Sequence, residues 1–301
     1  MTSPSIQILE TAPRDGLQNE DTVLSTADKI ELVERAVAAG ARRIEVTSFV
    51  NPQRVPQVAD ADELMRQVPR HPEVNYAGLV LNRRGLERAM AAEVDEIDVV
   101  VVATDTFCGR NQGMTTAQAC DEAAGVVQEA REAGVLATVT VAAAFGCPFE
   151  GEVSEARLTE VLRRVVEMGP DEVALADTIG VAVPTDVTTR VGLARGLVPA
   201  GTPVRLHLHD TRHTGVANAV AALDAGVATL DASIGGTGGC PFAPAATGNV
   251  ATEDLIYLFD RMGVDTGLDL DVVTSATAWL QDRLGKTLPG ALLRAGAFPP
   301  N

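Results

Sequence analysis

The stretch AVAAGARRIEVTSF, Ala36 to Phe49, joins two kinds of pattern. Its first half is small and apolar and stops at Gly40, the residue that enters the left-handed helix-ending conformation with least strain. Its second half, RIEVTSF, is rich in β-branched residues and has strand periodicity. The same glycine junction returns at EAGVLATV (132–139) and DAGVATLD (224–231). Working outward, strands read at IQILETA (6–12), RIEVTSF (43–49), VNYAGLVL (74–81) and EIDVVVVA (96–103). Four more read at LATVTVAAAF (136–145), EVALADT (172–178), VRLHLHD (204–210) and TLDASIG (229–235). A segment of helical period follows each, beginning near Thr26, Pro56, Asn82, Thr115, Ser154, Thr185, Thr214 and Thr252. Eight strand–helix units predict an α/β fold, a (β/α)8 TIM barrel over residues 1–267. The alternative, a doubly wound open sheet, is disfavoured because PRDGLQNE (13–20) lacks a glycine fingerprint after the first strand. Residues 268–301, with VVTSATAWLQDRLG (272–285), read as a C-terminal helical extension packed on the barrel.

Composition narrows the function. The chain has 301 residues, 46% hydrophobic and 22% charged, enough apolar material for a large core. It has no apolar run long enough to cross a bilayer, and MTSPSIQ is not a basic leader into an apolar segment, so a cytoplasmic protein is expected. Cys108, Cys120, Cys147 and Cys240 form no CxxC pair, which favours reduced thiols over a disulfide framework. A net charge of −17 argues against nucleic-acid binding. Of the 24 basic residues only Lys29 and Lys286 are lysines. A Schiff-base aldolase needs a lysine projecting into the barrel, and neither is placed for that. Carbon–carbon chemistry in this barrel would therefore depend on a metal.

Barrel sites form at the C-terminal ends of the strands. There the chain carries Arg14 and Asp15 after strand one, Glu45 in strand two and Asp177 at the end of strand six. Strand seven carries His207 and His209, and residues two apart in a strand face the same way. Two imidazoles on one face make half of a metal site, which Asp15 could complete from strand one. That mixed set of nitrogen and oxygen donors suits Mn²⁺ or Mg²⁺, with Zn²⁺ as a further option. After strand eight comes GGTGGCP (235–241), without the Lys-Ser/Thr of a phosphate loop. Cys240 in this loop could donate or accept a proton on loop closure, and Asn249 could cap the next helix or ligate a hard metal. Cys147 reads equally well as a buried small residue.

The motifs ETAPRDGLQNE, IEVTSFVNPQRVPQ, GCPFEG, ADTIG, HLHDT and GGCPFAPAATGNVATEDL resemble those of the hydroxymethylglutaryl-CoA lyase family, from Ile6 to Leu255. The resemblance implies cleavage of a 3-hydroxy-3-methylglutaryl-CoA-type thioester to acetyl-CoA and acetoacetate, with Mg²⁺ or Mn²⁺ held by Asp15, His207, His209 and Asn249. It implies that Arg14 stabilises the enolate oxygen and that Cys240 protonates the departing carbanion equivalent. Glu45 and Asp177 would orient ligands and substrate, with Gln18 as a nearby substrate contact. Either Asp15 or a water at the metal would take the hydroxyl proton. The resemblance also implies a homodimer. Three positions depart from the family pattern: Asp21 where lysine is frequent, Arg212-His213-Thr214 after HDT, and Thr140 where tyrosine is frequent. Arg212 could bind a substrate carboxylate or pair with surface acids. These departures leave citramalyl-CoA, a longer branched 3-hydroxyglutaryl-CoA, or Claisen-type synthesis from a 2-oxo acid as alternatives.

Overall fold

Runs such as EIDVVVV and LATVTVA bury both faces of a strand, as a parallel sheet covered by helices requires. The computed structural model describes residues 4–239 and 248–298. In it eight parallel strands close into a barrel: β1 (Gln7–Glu10), β2 (Arg43–Ser48), β3 (Asn75–Val80), β4 (Glu96–Val102), β5 (Leu136–Ala142), β6 (Glu172–Asp177), β7 (Val204–Leu208) and β8 (Thr229–Ala232). β8 closes on β1 with Gln7 beside Thr229 and Glu10 beside Ala232. Helices α1 (Thr26–Ala38), α2 (Ala61–Gln67), α3 (Arg83–Ala91), α4 (Asp105–Gln112), α5 (Thr116–Glu132), α6 (Glu155–Glu167), α7 (Pro184–Leu197), α8 (Gly215–Asp224) and α9 (Thr252–Met262) connect the strands. Two more, α10 (Leu270–Leu284) and α11 (Leu292–Ala295), end the described chain. None of the described helices is long and apolar enough to cross a membrane.

The junction glycines do what their positions require: Gly40, Gly134 and Gly226 take φ of +105°, +79° and +78°. Local capping starts several helices where the sequence places them. Ser25 and Ser154 accept from the backbone N–H three residues on, and Thr115 with Gln118 forms a reciprocal capping box. Two helical segments differ from expectation. The segment at Pro56 is a single 3₁₀ turn, Pro56–Val58, with α2 starting only at Ala61. A separate helix, α4, precedes the one at Thr115, since Gly113 ends it at φ +76°.

The barrel interior is charged. On the inward face, Arg43 of β2 pairs with Glu96 of β4 and Glu172 of β6, with Thr138 of β5 bonded to Glu96 at 2.8 Å. One layer nearer the C-terminal end, Arg205 of β7 reaches Asp98 at 2.8 Å, Asp231 at 2.7 Å and Glu172 at 3.0 Å. Arg205 is 1% exposed. A buried guanidinium is tolerated only where carboxylates surround it, and these come from three different strands.

At the C-terminal end, Glu10 ties segments together. Its carboxyl accepts from Ala12 N (2.8 Å), Ile234 N (3.0 Å) and Thr252 Oγ1 (2.7 Å), joining the exits of β1 and β8 to the start of α9. Burial pushes this carboxyl up from 4.5 to about 7, against the hydrogen bonds that favour the ion. A raised carboxyl stabilises the fold fully below its unfolded value, and that contribution is lost as pH rises through the folded value. Thermal stability should thus fall between pH 4.5 and about 7. In Glu10→Gln, which keeps an acceptor for both backbone N–H groups, that fall should shrink, as melting temperatures recorded across this window would show. An identical pH profile in the variant would remove Glu10 from the effect.

Candidate active site

β1 does not run straight into its loop. Residues Ala12–Gly16 form one π-helical turn, closed by Gly16 N–H donating to Thr11 O at 3.1 Å. A Cβ on Gly16 would collide with the Thr237 hydroxyl, so glycine is needed where this turn packs on the β8 exit. The turn buries Arg14 and Asp15 side by side at the barrel mouth. β7 presents His207 on its inward face, in line with Arg205, and His209 follows directly after the strand's end. Their Nε2 atoms are 3.0 Å apart, and each lies 3.8 Å from Asp15 Oδ2. Asn249, bridged to His209 through the backbone, donates Nδ2–H to Asp15 Oδ2 at 2.8 Å and to the Thr237 carbonyl at 3.0 Å. Its Oδ1 is buried and unpartnered among the described residues. Gly238, at φ +112°, allows this approach: a Cβ there would lie 2.5 Å from Asn249 Nδ2.

This arrangement fits a metal ion. Asp15, His207 and His209 each offer a ligand atom within 4.8 Å of the others, all three buried. Converging donor atoms and an orphaned buried amide oxygen are groups that a cation would satisfy together. Charge points the same way. Arg14, Arg43 and Arg205 face twice as many acids in the interior: Asp15, Glu45, Glu96, Asp98, Glu172 and Asp231. Burial alone would raise the Asp15 carboxyl, but Arg14 and the two histidines hold it far below the usual carboxylate range. It is therefore an ionised oxygen donor.

Arg14 bonds Asp15 Oδ1 through Nη1 at 2.6 Å and Glu45 Oε2 through Nε at 2.6 Å. Burial and the nearby Asp98 push Glu45 up to about 7 against the pull of Arg14. Beside Arg14 and Asp15 lies a cavity of about 170 Å³, lined also by Gln18, His207, His209, Thr140 and Thr178 and walled by Leu79, Leu81, Val100 and Val102. Asp177 and Arg212 are turned to other partners. Asp177 accepts from Val181 N (2.9 Å) and Ala182 N (3.0 Å), securing the loop after β6. Arg212 donates to the carbonyls of Ile179 (2.9 Å) and Gly180 (2.8 Å), bracing that same loop from outside the cavity lining. Cys240 lies outside the described residues, though Gly239 before it lines the cavity. Cys147 is buried away from the lining, with Thr104 Oγ1 donating to its sulfur at 3.0 Å. Lys29 bonds Asp60 and the Gln57 carbonyl on the outside of the barrel, so no imine nitrogen enters the site from it.

Residues 5–279 match the HMGL-like family model. The chain belongs to the HMGL-like family. It is similar to the (R)-citramalyl-CoA lyase of Chloroflexus aurantiacus, 43% identical over 98% of this chain and 96% of that protein. It is also similar to the hydroxymethylglutaryl-CoA lyase of Bacillus subtilis, 37% identical over 96% of each. Among solved structures, an HMG-CoA lyase from Acinetobacter baumannii in complex with coenzyme A and 3-methylmalate superposes with a TM-score of 0.95, at 36% identity over 99% of this chain and 98% of that one.

In this HMGL-like barrel the sequence patterns at strand ends left out Asp98, Thr178, Arg205 and Asp231. Asp98 and Asp231 line the cavity, and Arg205 anchors both. A signal was present for three of them: Asp98 and Asp231 are charges set among apolar strand residues, and Arg205 shares one alternation with His207 and His209, whereas Thr178 gave none. Asp15→Asn is expected to abolish Mn²⁺ binding by the metal-stripped protein in calorimetry while leaving its melting profile cooperative. Binding of wild-type strength in that variant would exclude Asp15 as a ligand.

Proposed function

We propose that this protein is a divalent-metal-dependent carbon–carbon lyase that cleaves 3-hydroxy-3-methylglutaryl-CoA to acetyl-CoA and acetoacetate. One observation carries the reading: a single π-helical turn sets Asp15 into the His207–His209–Asn249 cluster and Arg14 beside the adjoining cavity. Mg²⁺ or Mn²⁺ held by Asp15, His207, His209 and Asn249 Oδ1 would acidify the tertiary hydroxyl of the substrate. Asp15, held ionised, would serve as a ligand, and a water in the site would take the hydroxyl proton. Arg14 remains protonated and is clamped by Asp15 and Glu45, which leaves one N–H on each Nη for the thioester oxygen as it gains charge. Glu45 would keep the guanidinium in place, and Gln18 would contact the substrate, its buried Oε1 having no partner among the described residues. Cys240, next in sequence to the cavity-lining Gly239, would deliver a proton to the acetyl-CoA carbon. A second cavity of about 780 Å³ shares Gln18, Val50, Leu81 and Asn111 with the first and is also lined by Arg54 and Arg84. It supports a path for the CoA arm, which a chain of net charge −17 could attract only through a local basic cluster.

A second substrate reading rests on the 43% identity to an (R)-citramalyl-CoA lyase. Citramalyl-CoA has the same hydroxyl- and methyl-bearing carbon, with one methylene fewer before the carboxylate. The same residues would cleave it to acetyl-CoA and pyruvate. Mass spectrometry of products separates the two: acetoacetate from the first thioester supports the main reading, and pyruvate from the second, with silence on the first, replaces it. Within either reading, Arg14→Lys should lower kcat about 100- to 1,000-fold because a lysine ammonium cannot reproduce the clamped fork. Metal affinity should stay unchanged, and steady-state kinetics with parallel Mn²⁺ titration would check both halves.

A further inference from the structure

Asp231 on β8 is buried at the floor of the cavity and has no part in the chemistry proposed above. Both of its oxygens accept from Arg205 Nη1, at 2.8 Å and 2.7 Å, and its Oδ2 lies 3.0 Å from His207 Nδ1. The barrel register sets this contact, since Asp231 and His207 are direct neighbours across β8 and β7. A carboxylate can only accept, so the proton of this contact resides on Nδ1. That leaves His207 Nε2 with its lone pair directed at Asp15 and His209. His209 has no equivalent support: its Nδ1 is buried with no partner among the described residues.

We propose that Asp231, held in place by Arg205, is a positioning residue that makes His207 the stronger of the two imidazole ligands and so sets the metal affinity of the site. An imidazole whose far N–H bonds a carboxylate is fixed in tautomer and orientation and becomes a more basic donor. Arg205 has a second effect. Asp231 lines the cavity, and an unrestrained carboxylate there would swing in and compete as a ligand. With both oxygens engaged by one guanidinium, it is confined to the supporting position. The inference rests on the proposed metal centre and concerns how firmly that centre is built.

The experiment uses the full-length, metal-stripped protein titrated with Mn²⁺ by calorimetry and with Co²⁺ by visible absorption. Asp231→Asn should weaken binding about 10- to 100-fold and alter the Co²⁺ d–d bands. His207→Ala is the control for the centre itself and should abolish binding. Wild-type affinity and bands in Asp231→Asn, with loss in His207→Ala, would overturn the positioning role and leave the metal centre standing. Wild-type affinity in both would overturn the metal centre as well. A third measurement does not depend on a variant folding: ¹⁵N–¹H correlation spectra of the metal-free wild-type imidazoles at mildly alkaline pH. These should show the His207 proton on Nδ1, and a proton on Nε2 would refute the proposal.

Discussion

A charged guanidinium sealed inside a barrel is the constraint on which the remainder of this structure depends. Arg205 is 1% exposed and must stay ionised, so Asp98, Glu172 and Asp231 have to surround it. Those acids lie on β4, β6 and β8, and meeting them requires β7 to sit in one register within a closed barrel. Barrel interiors are more often filled by branched apolar side chains, which would serve stability equally well or better. The gain here is in orientation. The acids outnumber the arginines near the mouth, and Arg205 holds Asp231 against His207, beside the proposed cation site and without reaching it.

The mouth solves a second problem, how two adjacent residues can do different work. In a strand, Arg14 and Asp15 would point to opposite faces, and in an α-helix they would diverge by about 100°. The π-helical turn presents both at the cavity while keeping them in contact at 2.6 Å. Glu10 fixes the base of that turn to the β8 exit, so the turn bearing Asp15 and the segment bearing Gly238 are held by one carboxyl. Charge is likewise divided: Asp15 is kept anionic by its neighbours, whereas Glu45, deeper and closer to Asp98, is pushed up to about 7.

The amino-acid sequence by itself determined most of what depends on short-range periodicity, with the single turn at Pro56 and the separate helix at Asp105 as exceptions. Glycine at helix ends, β-branched runs and caps such as Ser25 specify where elements begin and end, because backbone conformation is a local preference. The eightfold alternation then leaves few arrangements other than a barrel. His207 and His209 were legible as one face because strand side chains alternate, and Arg14-Asp15 stood out because a turn has no need of such chemistry. Only the tertiary structure decided what each charge meets. Asp15 and Asn249 are 234 residues apart and come within 2.8 Å because closure sets β1 beside β8. The same closure brings Asp231 to His207 and Asp98 to Arg205, whereas it leaves Arg212 on the rim, bonded to the carbonyls of a neighbouring loop. Charge pairing acts through space over a few ångströms, and spacing along the chain carries no record of which distant acid will fall within that range.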